Sequence, residues 1–427
     1  MRTSSSRAQS LFAGLPALTL PAAGARPSAA APRLPVNAHI HLPPNFSAFD
    51  TVEQAVGLAA AEGIAALGAS NYYDYTVYQE FAERAAGAGI VPLFGIEIIT
   101  LDEGLAARGV KINDPGNPGK MYLCGKGISR FDPLSPEAQA LLGTIRTKDA
   151  ERMAAMTQRL AERFAAVGLE TALDADAIKE QVVRRHGSPK STVYLQERHV
   201  AQAFQESLFE RLAPGSRADL LARLFGAPPK SLDSAAVVQN DIRSHLMKAG
   251  KAAYVEETFV GYEHARALIL ALGGIPCYPT LADGASPICE FEAPIERLLA
   301  EIAARDIHCA ELIPVRNQPE ALLRYATGLR RAALMVTAGT EHNTRESQPI
   351  APACVNGQPI PDAALDIFWE GACVVAAHHY RVFRGQPGFV DEAGQPNPAY
   401  ATAEGRIAAF RALGEEVIRE FRRMHPA

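Results

Sequence analysis

No two cysteines in this chain stand at a Cys-x-x-Cys spacing. The six thiols, Cys124, Cys277, Cys289, Cys309, Cys354 and Cys373, are scattered; nothing reads as a zinc knuckle, and a reduced, cytoplasmic protein is the simplest expectation. No apolar run reaches the roughly 20 residues of a membrane-spanning helix, so no membrane partner is expected. A dominant charge is missing too: 42 Lys and Arg face 47 Asp and Glu, a net charge of -5 with no long block of either sign. That balance argues against a nucleic-acid partner, which calls for a basic groove. Self-similarity at periods of about 20 to 50 residues is also absent, which argues against a solenoid. What the chain does have is 48% apolar residues over 427 positions. That suffices for a large core, and the length fits either two domains or one barrel with insertions.

Arg2 and Arg7 precede an apolar stretch from Leu11 to Ala25 that ends in small residues, the outline of a secretory signal. Pro16 and Pro21 interrupt it, and the segment continues rich in Ala and Pro to Pro35. Residues 1–35 are therefore expected to form a disordered leader, with export as the alternative to a cytoplasmic location.

From Val36 onward, short apolar runs alternate with helical stretches, the signature of a parallel β/α architecture. Strands are expected at Val36–Ile40, Ile64–Ala69, Ile90–Ile98, Met121–Cys124, Gly274–Tyr278, His308–Ile313 and Leu334–Ala338. Residues from about 133 to 261 break the rhythm with charged, helix-favouring sequence whose apolar residues recur at three- and four-residue spacing, the pattern of a helical insertion. Two further helices, at about 363–380 and 403–424, close the chain.

The first strand runs into His39-Ile40-His41, and alternation puts both imidazoles on one side. Two neutral imidazoles at a strand's C-terminal end make half of a divalent-metal site. Glu97, in Gly95-Ile96-Glu97-Ile98, is a carboxylate inside an apolar strand, where a charge needs a cation or partner. Glu341-His342 places another carboxylate and imidazole at the end of the seventh strand. Each reading has a plainer rival: a polar strand end, or a salt bridge.

In order along the chain, His39-Ile40-His41, Gly95-Ile96-Glu97-Ile98, Gly273-Gly274-Ile275-Pro276 and Gly339-Thr340-Glu341-His342 resemble the motifs of the PHP (polymerase and histidinol phosphatase) family, over roughly residues 36–343. The resemblance implies a distorted (β/α)7-type TIM-like barrel with a helical insertion. It also implies a metal-dependent hydrolase, phosphoesterase-like, acting on a small-molecule substrate. Arg198-His199 in the insertion resembles a segment where the family places a metal-ligating histidine, which makes His199 a candidate ligand. The departures are as informative. Ser70-Asn71 stands where the family has Asp-His, Tyr122 where it has a histidine, and Cys277-Tyr278-Pro279-Thr280-Leu281-Ala282-Asp283 where it has Ala-His-Pro. Asn343 takes the last ligand position in strict register.

The metal set expected is thus reduced: His39, His41, Glu97 and Glu341, with His199 or His342 for a second ion. Zn, Mn or Fe suits such ligands. His342 and Asp283 are the candidate general acid or base. Asn71, Tyr72, Lys126, Arg316 and Asn343 are candidate substrate contacts, with Glu311 a possible structural partner of Arg316. His378-His379, in a helix with apolar neighbours, reads as packing or surface and not as ligand. Cations among Lys126, Arg316 and Arg345 pointing into the pocket would favour a phosphate substrate. A lining of tyrosines and amides would favour a carbohydrate or other neutral molecule, and a catalytically silent binding protein is the third reading.

Overall fold

The computed structural model describes residues 6–21, 32–344 and 348–426. Seven strands form one sheet in sequential order: β1 (Val36–Ile40), β2 (Ala66–Asn71), β3 (Val91–Leu101), β4 (Lys120–Lys126), β5 (Ile275–Thr280), β6 (Cys309–Leu312) and β7 (Met335–Ala338). A parallel bridge from Ile40 to Glu341 brings the two edges together, so the sheet is a nearly closed barrel. Apolar residues dominate strands buried on both faces, as a barrel wall between a packed interior and outer helices demands.

Fourteen α-helices are formed by the described residues. The first is α1 (Arg7–Ala13); α2 (Val52–Ala61), α3 (Tyr78–Gly87) and α4 (Glu103–Ala107) separate the first four strands. Between β4 and β5 come α5 (Pro136–Ala166), α6 (Ala175–His186), α7 (Glu197–Arg211), α8 (Pro214–Phe225), α9 (Ala235–Ile242) and then α10 (Tyr262–Ala271). The rest are α11 (Ile295–Ala303), α12 (Pro319–Arg331), α13 (Asp362–Val382) and α14 (Ala403–Met424). Local chemistry sets several starts: Thr51, Ser135 and Asp174 each accept a backbone N–H at the beginning of α2, α5 and α6, leaving fewer orphan donors.

The insertion has its own core. Met153, Met156, Leu160, Phe164, Phe204, Leu208, Leu221 and Ile242 cluster apart from the barrel's hydrophobic residues. These are the three- and four-spaced positions of α5, α7, α8 and α9, turned toward one another.

Two expectations fail. The strands are not all parallel, because β4 runs antiparallel to both β3 and β5. The connection from Leu101 to Lys120 contains Gly109, Pro115, Gly116, Pro118 and Gly119 and forms only the five-residue α4, so no crossover helix carries the chain back across the sheet. The expected disordered leader is ordered over residues 6–21. Ser6 caps α1, Ala8 and Phe12 are fully buried, and Phe12 packs its ring on His379, Phe383 and Phe421. Residues 1–5 and 22–31 of that leader, and Arg345, lie outside the described residues. No helix among the described residues is long and apolar enough to cross a membrane.

Candidate metal centre and cavity

His39 in β1 and His41, one residue past its end, project into the barrel, where both are essentially inaccessible. The neighbouring strand end leaves His39 little freedom, since a Cβ on Gly339 would lie 2.2 Å from His39 Cβ. Glycine is what lets the β7 end close on β1. Glu97 reaches in from β3. Its Oε2 lies 3.4 Å from His39 Nε2 and 3.1 Å from His41 Nε2, yet none of these three buried atoms makes a well-formed hydrogen bond.

His39 Nδ1 lies 2.7 Å from Glu311 Oε2, and Lys126 Nζ lies 2.6 Å from Glu311 Oε1. Glu311 therefore holds the Nδ1 side of His39 and turns Nε2 towards Glu97. A carboxylate behind a histidine that presents its other nitrogen is the arrangement that orients metal-ligating imidazoles. Burial alone would raise the Glu97 pKa, but the two imidazoles hold it well below the usual carboxylate range. Burial also opposes a charged His39, and Glu311 outweighs it, so the His39 pKa is raised.

The donors fit a divalent cation. His39, His41 and Glu97 form one buried group whose donor atoms lie within 4.8 Å of one another. Cys124 makes a second group with His39 and Glu311, which suits a cation less well: Lys126 already neutralises Glu311, and burial pushes the Cys124 thiol up to about 12. The sequence carried no cue for Cys124; only the Glu97–Cys124 register across β3 and β4 brings it here.

A cavity of about 320 Å³ opens above Glu97, between the barrel and the insertion. Of the residues anticipated from sequence, Tyr72, Glu97, Arg316, Glu341 and Asn343 line it. Tyr72 stacks on His41, with ring centroids 5.2 Å apart. Tyr122 also lines the cavity, with its phenol pushed up to about 12, first by burial.

Other residues are placed differently. Glu341 does not join the metal group. It is ion-paired with Arg316 and accepts from Asn343 Nδ2 at 2.8 Å. His199 caps α7 by accepting Gln196 N–H at 3.1 Å and packs edge-on to Phe46, outside the metal group. His342 is buried, held between Thr340 Oγ1 and the Gln348 carbonyl and stacked on Phe49, so it does not face the cavity. Asp283 accepts from Asn317 Nδ2 and the Gln318 N–H, a loop brace with no place on the cavity wall. The Asn71 amide is spent on the backbone of Leu42. Lys126 is buried beneath the histidines, because β4 runs backwards and carries its last residue away from the mouth. Glu311 accordingly pairs with Lys126 and His39, not with Arg316. His378 and His379 are packing residues: each accepts a backbone N–H, from Phe389 and Phe94.

Sequence reasoning missed the cations that the insertion brings to the cavity, Arg152, Arg198, Arg243 and Lys248, together with Lys120 from β4. It also missed Glu292, which braces one wall. Leu281 and Gly284 line the cavity, and buried Glu292 accepts the Leu281 and Ala282 N–H groups and the Tyr278 hydroxyl. Burial pushes this carboxyl up to about 7 from 4.5. The folded chain thus keeps a proton that the unfolded chain has lost. Its stabilising effect is full below about 4.5 and disappears as pH rises towards 7, on the order of 3 kcal/mol. Urea unfolding at several pH values is expected to show this decline in the wild type and a shallower one in Glu292→Gln; equal slopes would exclude Glu292 as the titrating group.

No protein-family model matches the chain, and no curated protein sequence matches it. Among solved structures, it is similar to a proposed metal-dependent phosphoesterase from Bifidobacterium adolescentis. The TM-score is 0.51 at 17% identity, over 80% of this chain and 96% of the other. It is also similar to an amidohydrolase from Chromobacterium violaceum with sulfate and no metal bound, TM-score 0.49 at 18% identity, over 76% of this chain and 93% of the other. At such identities the likeness shows the fold alone.

Proposed function

We propose that this chain is a metal-dependent hydrolase of the PHP phosphoesterase-like group, with a reduced metal centre and a small anionic ester as substrate. The observation that carries this reading is the meeting of His39 Nε2, His41 Nε2 and Glu97 Oε2, three buried polar atoms that make no well-formed hydrogen bond. Such a set is costly unless a cation occupies its centre. A divalent ion held there supplies Lewis acidity towards a substrate oxygen.

The chain's own groups do the rest. Arg316, in the field of both Glu341 and Glu97, holds an anionic oxygen at the cavity floor through its planar fork. Tyr72 fixes the His41 ring from one face. Asp149 on α5 is raised to about 6, mainly by burial, and serves as the protonable carboxyl of the cavity wall in place of His342 and Asp283. The abundance of cations on that wall supports an ester of phosphate over a neutral carbohydrate, whose recognition rests on amides and rings.

The test is hydrolysis of p-nitrophenyl phosphate by protein supplied with Mn, Zn or Fe. Turnover that disappears on chelation and returns on adding the ion is the expected result. Protein that holds a stoichiometric ion yet turns over no phosphomonoester in a broad screen would remove the phosphoesterase reading.

A further inference from the structure

We propose that the helical insertion carries an anion subsite of its own, formed by Arg198, Arg243 and Lys248, which takes a second negatively charged group of the substrate, a phosphate or a carboxylate. The proposal rests on the reading of the cavity as a substrate site, and it adds that the substrate is anionic at two places.

The argument is one of charge left over. Among the described residues, the carboxylates that line the cavity are already engaged. Glu341 has Arg316, and Asp114 has Lys120. Glu97 faces two histidines, and Asp149 is hydrogen-bonded by Tyr73. Arg152 is shared between Glu197 at 2.9 Å and Glu257 at 3.8 Å, while Lys248 at 2.8 Å and Arg243 at 3.6 Å have, among the described residues, only that same Glu197 within 4.0 Å.

Glu197 is thus spread over three cations, two of which have no other carboxylate in reach, and the remainder shows. Arg243 Nε is buried without an acceptor. Arg198 has no carboxylate within 4.0 Å among the described residues; its guanidinium lies over the Phe46 ring, 5.9 Å from the centroid. Burial, then Arg243 and Arg316, bring the Arg198 pKa down to about 10, so these cations lie in one another's field. α7 begins at Glu197, and its N-terminal end adds partial positive charge at the same place. Guanidinium forks with free N–H groups beside an ammonium are matched to the oxygens of phosphate or carboxylate.

Calorimetric titration of chelator-treated protein with inorganic phosphate, and separately with acetate at the same ionic strength, reads this subsite without the metal. The expected result is stoichiometric binding of at least one of the two anions to the wild type, weakened at least about tenfold in Arg198→Met and in Arg243→Met. Tighter phosphate or tighter acetate then identifies the group preferred. Arg198→Lys, which keeps the charge and the fold but loses the fork, is expected to fall between. No anion binding by the wild type, or binding unchanged in all three variants, overturns the proposal. Divalent-ion binding at His39, His41 and Glu97 is measured on the same proteins in a separate titration, so failure of the subsite is distinguishable from failure of the metal-hydrolase reading.

Discussion

A His39→Ala, His41→Ala double variant is expected to lose stoichiometric binding of a divalent ion and to reduce metal-dependent turnover by well over a hundredfold. Loss of a residue that merely orients a ligand weakens metal affinity or activity about 10- to 100-fold, and here two of the three ligands go. Stability gives a second, activity-independent readout. An ion that binds only the folded state at a hundred times its Kd stabilises by about 2.7 kcal/mol. The wild type is therefore expected to melt at a higher temperature with Mn or Zn present, and the double variant to be unaffected. Elemental analysis with paired thermal melts decides it: a variant that still holds one equivalent of ion, or still gains stability from it, would show that the ligands lie elsewhere.

The positions of the seven strands were legible because each is a short apolar run between polar turns, and a barrel wall buried on both faces reads that way. Direction was not legible. Apolar pattern is the same for a strand traversed either way, and only the Gly- and Pro-rich stretch before Lys120 hinted that the fourth strand returns without a crossover helix. That one reversal moved Lys126 from the expected mouth to the floor beneath the histidines. The leader was misread for a related reason. Composition rich in Ala and Pro spoke for disorder, while Ala8 and Phe12, four apart, were enough to seat one turn of helix against α13 and α14.

At the site, sequence brought together what lies on strands. His39, His41 and Glu97 follow from alternation and from the cost of a carboxylate in an apolar strand. Residues in the loops after strands resisted prediction, because short polar side chains there have many backbone partners within reach. Asp283 and His342 spend their polar atoms on loop backbone or neighbouring side chains, and so does Asn71 at the last position of β2. The insertion's cations could not be placed at all, since Arg152, Arg198, Arg243 and Lys248 meet only after five helices have packed on their own core.

Lys126→Met is expected to be among the most destabilising single substitutions in the barrel. Lys126 and Glu311 are both buried, 2.6 Å apart; burial would raise the Glu311 pKa, and Lys126, then His39, outweigh it and hold it below the usual carboxylate range. Removing the ammonium strands a carboxylate inside the barrel, a loss of about 3–5 kcal/mol for a broken buried pair. Pairing the change with Glu311→Gln removes the stranded charge, and stability is expected to return most of the way. Metal affinity is not. A neutral amide accepts the His39 Nδ1–H less strongly than a carboxylate, so the double variant is expected to bind its ion 10- to 100-fold more weakly, on the order seen for such orienting partners. Denaturant unfolding and metal titration of the single and double variants separate the two effects. Recovery of both stability and affinity would reduce the Lys126–Glu311 pair to a packing device; recovery of stability alone assigns it the task of aiming His39 at the ion.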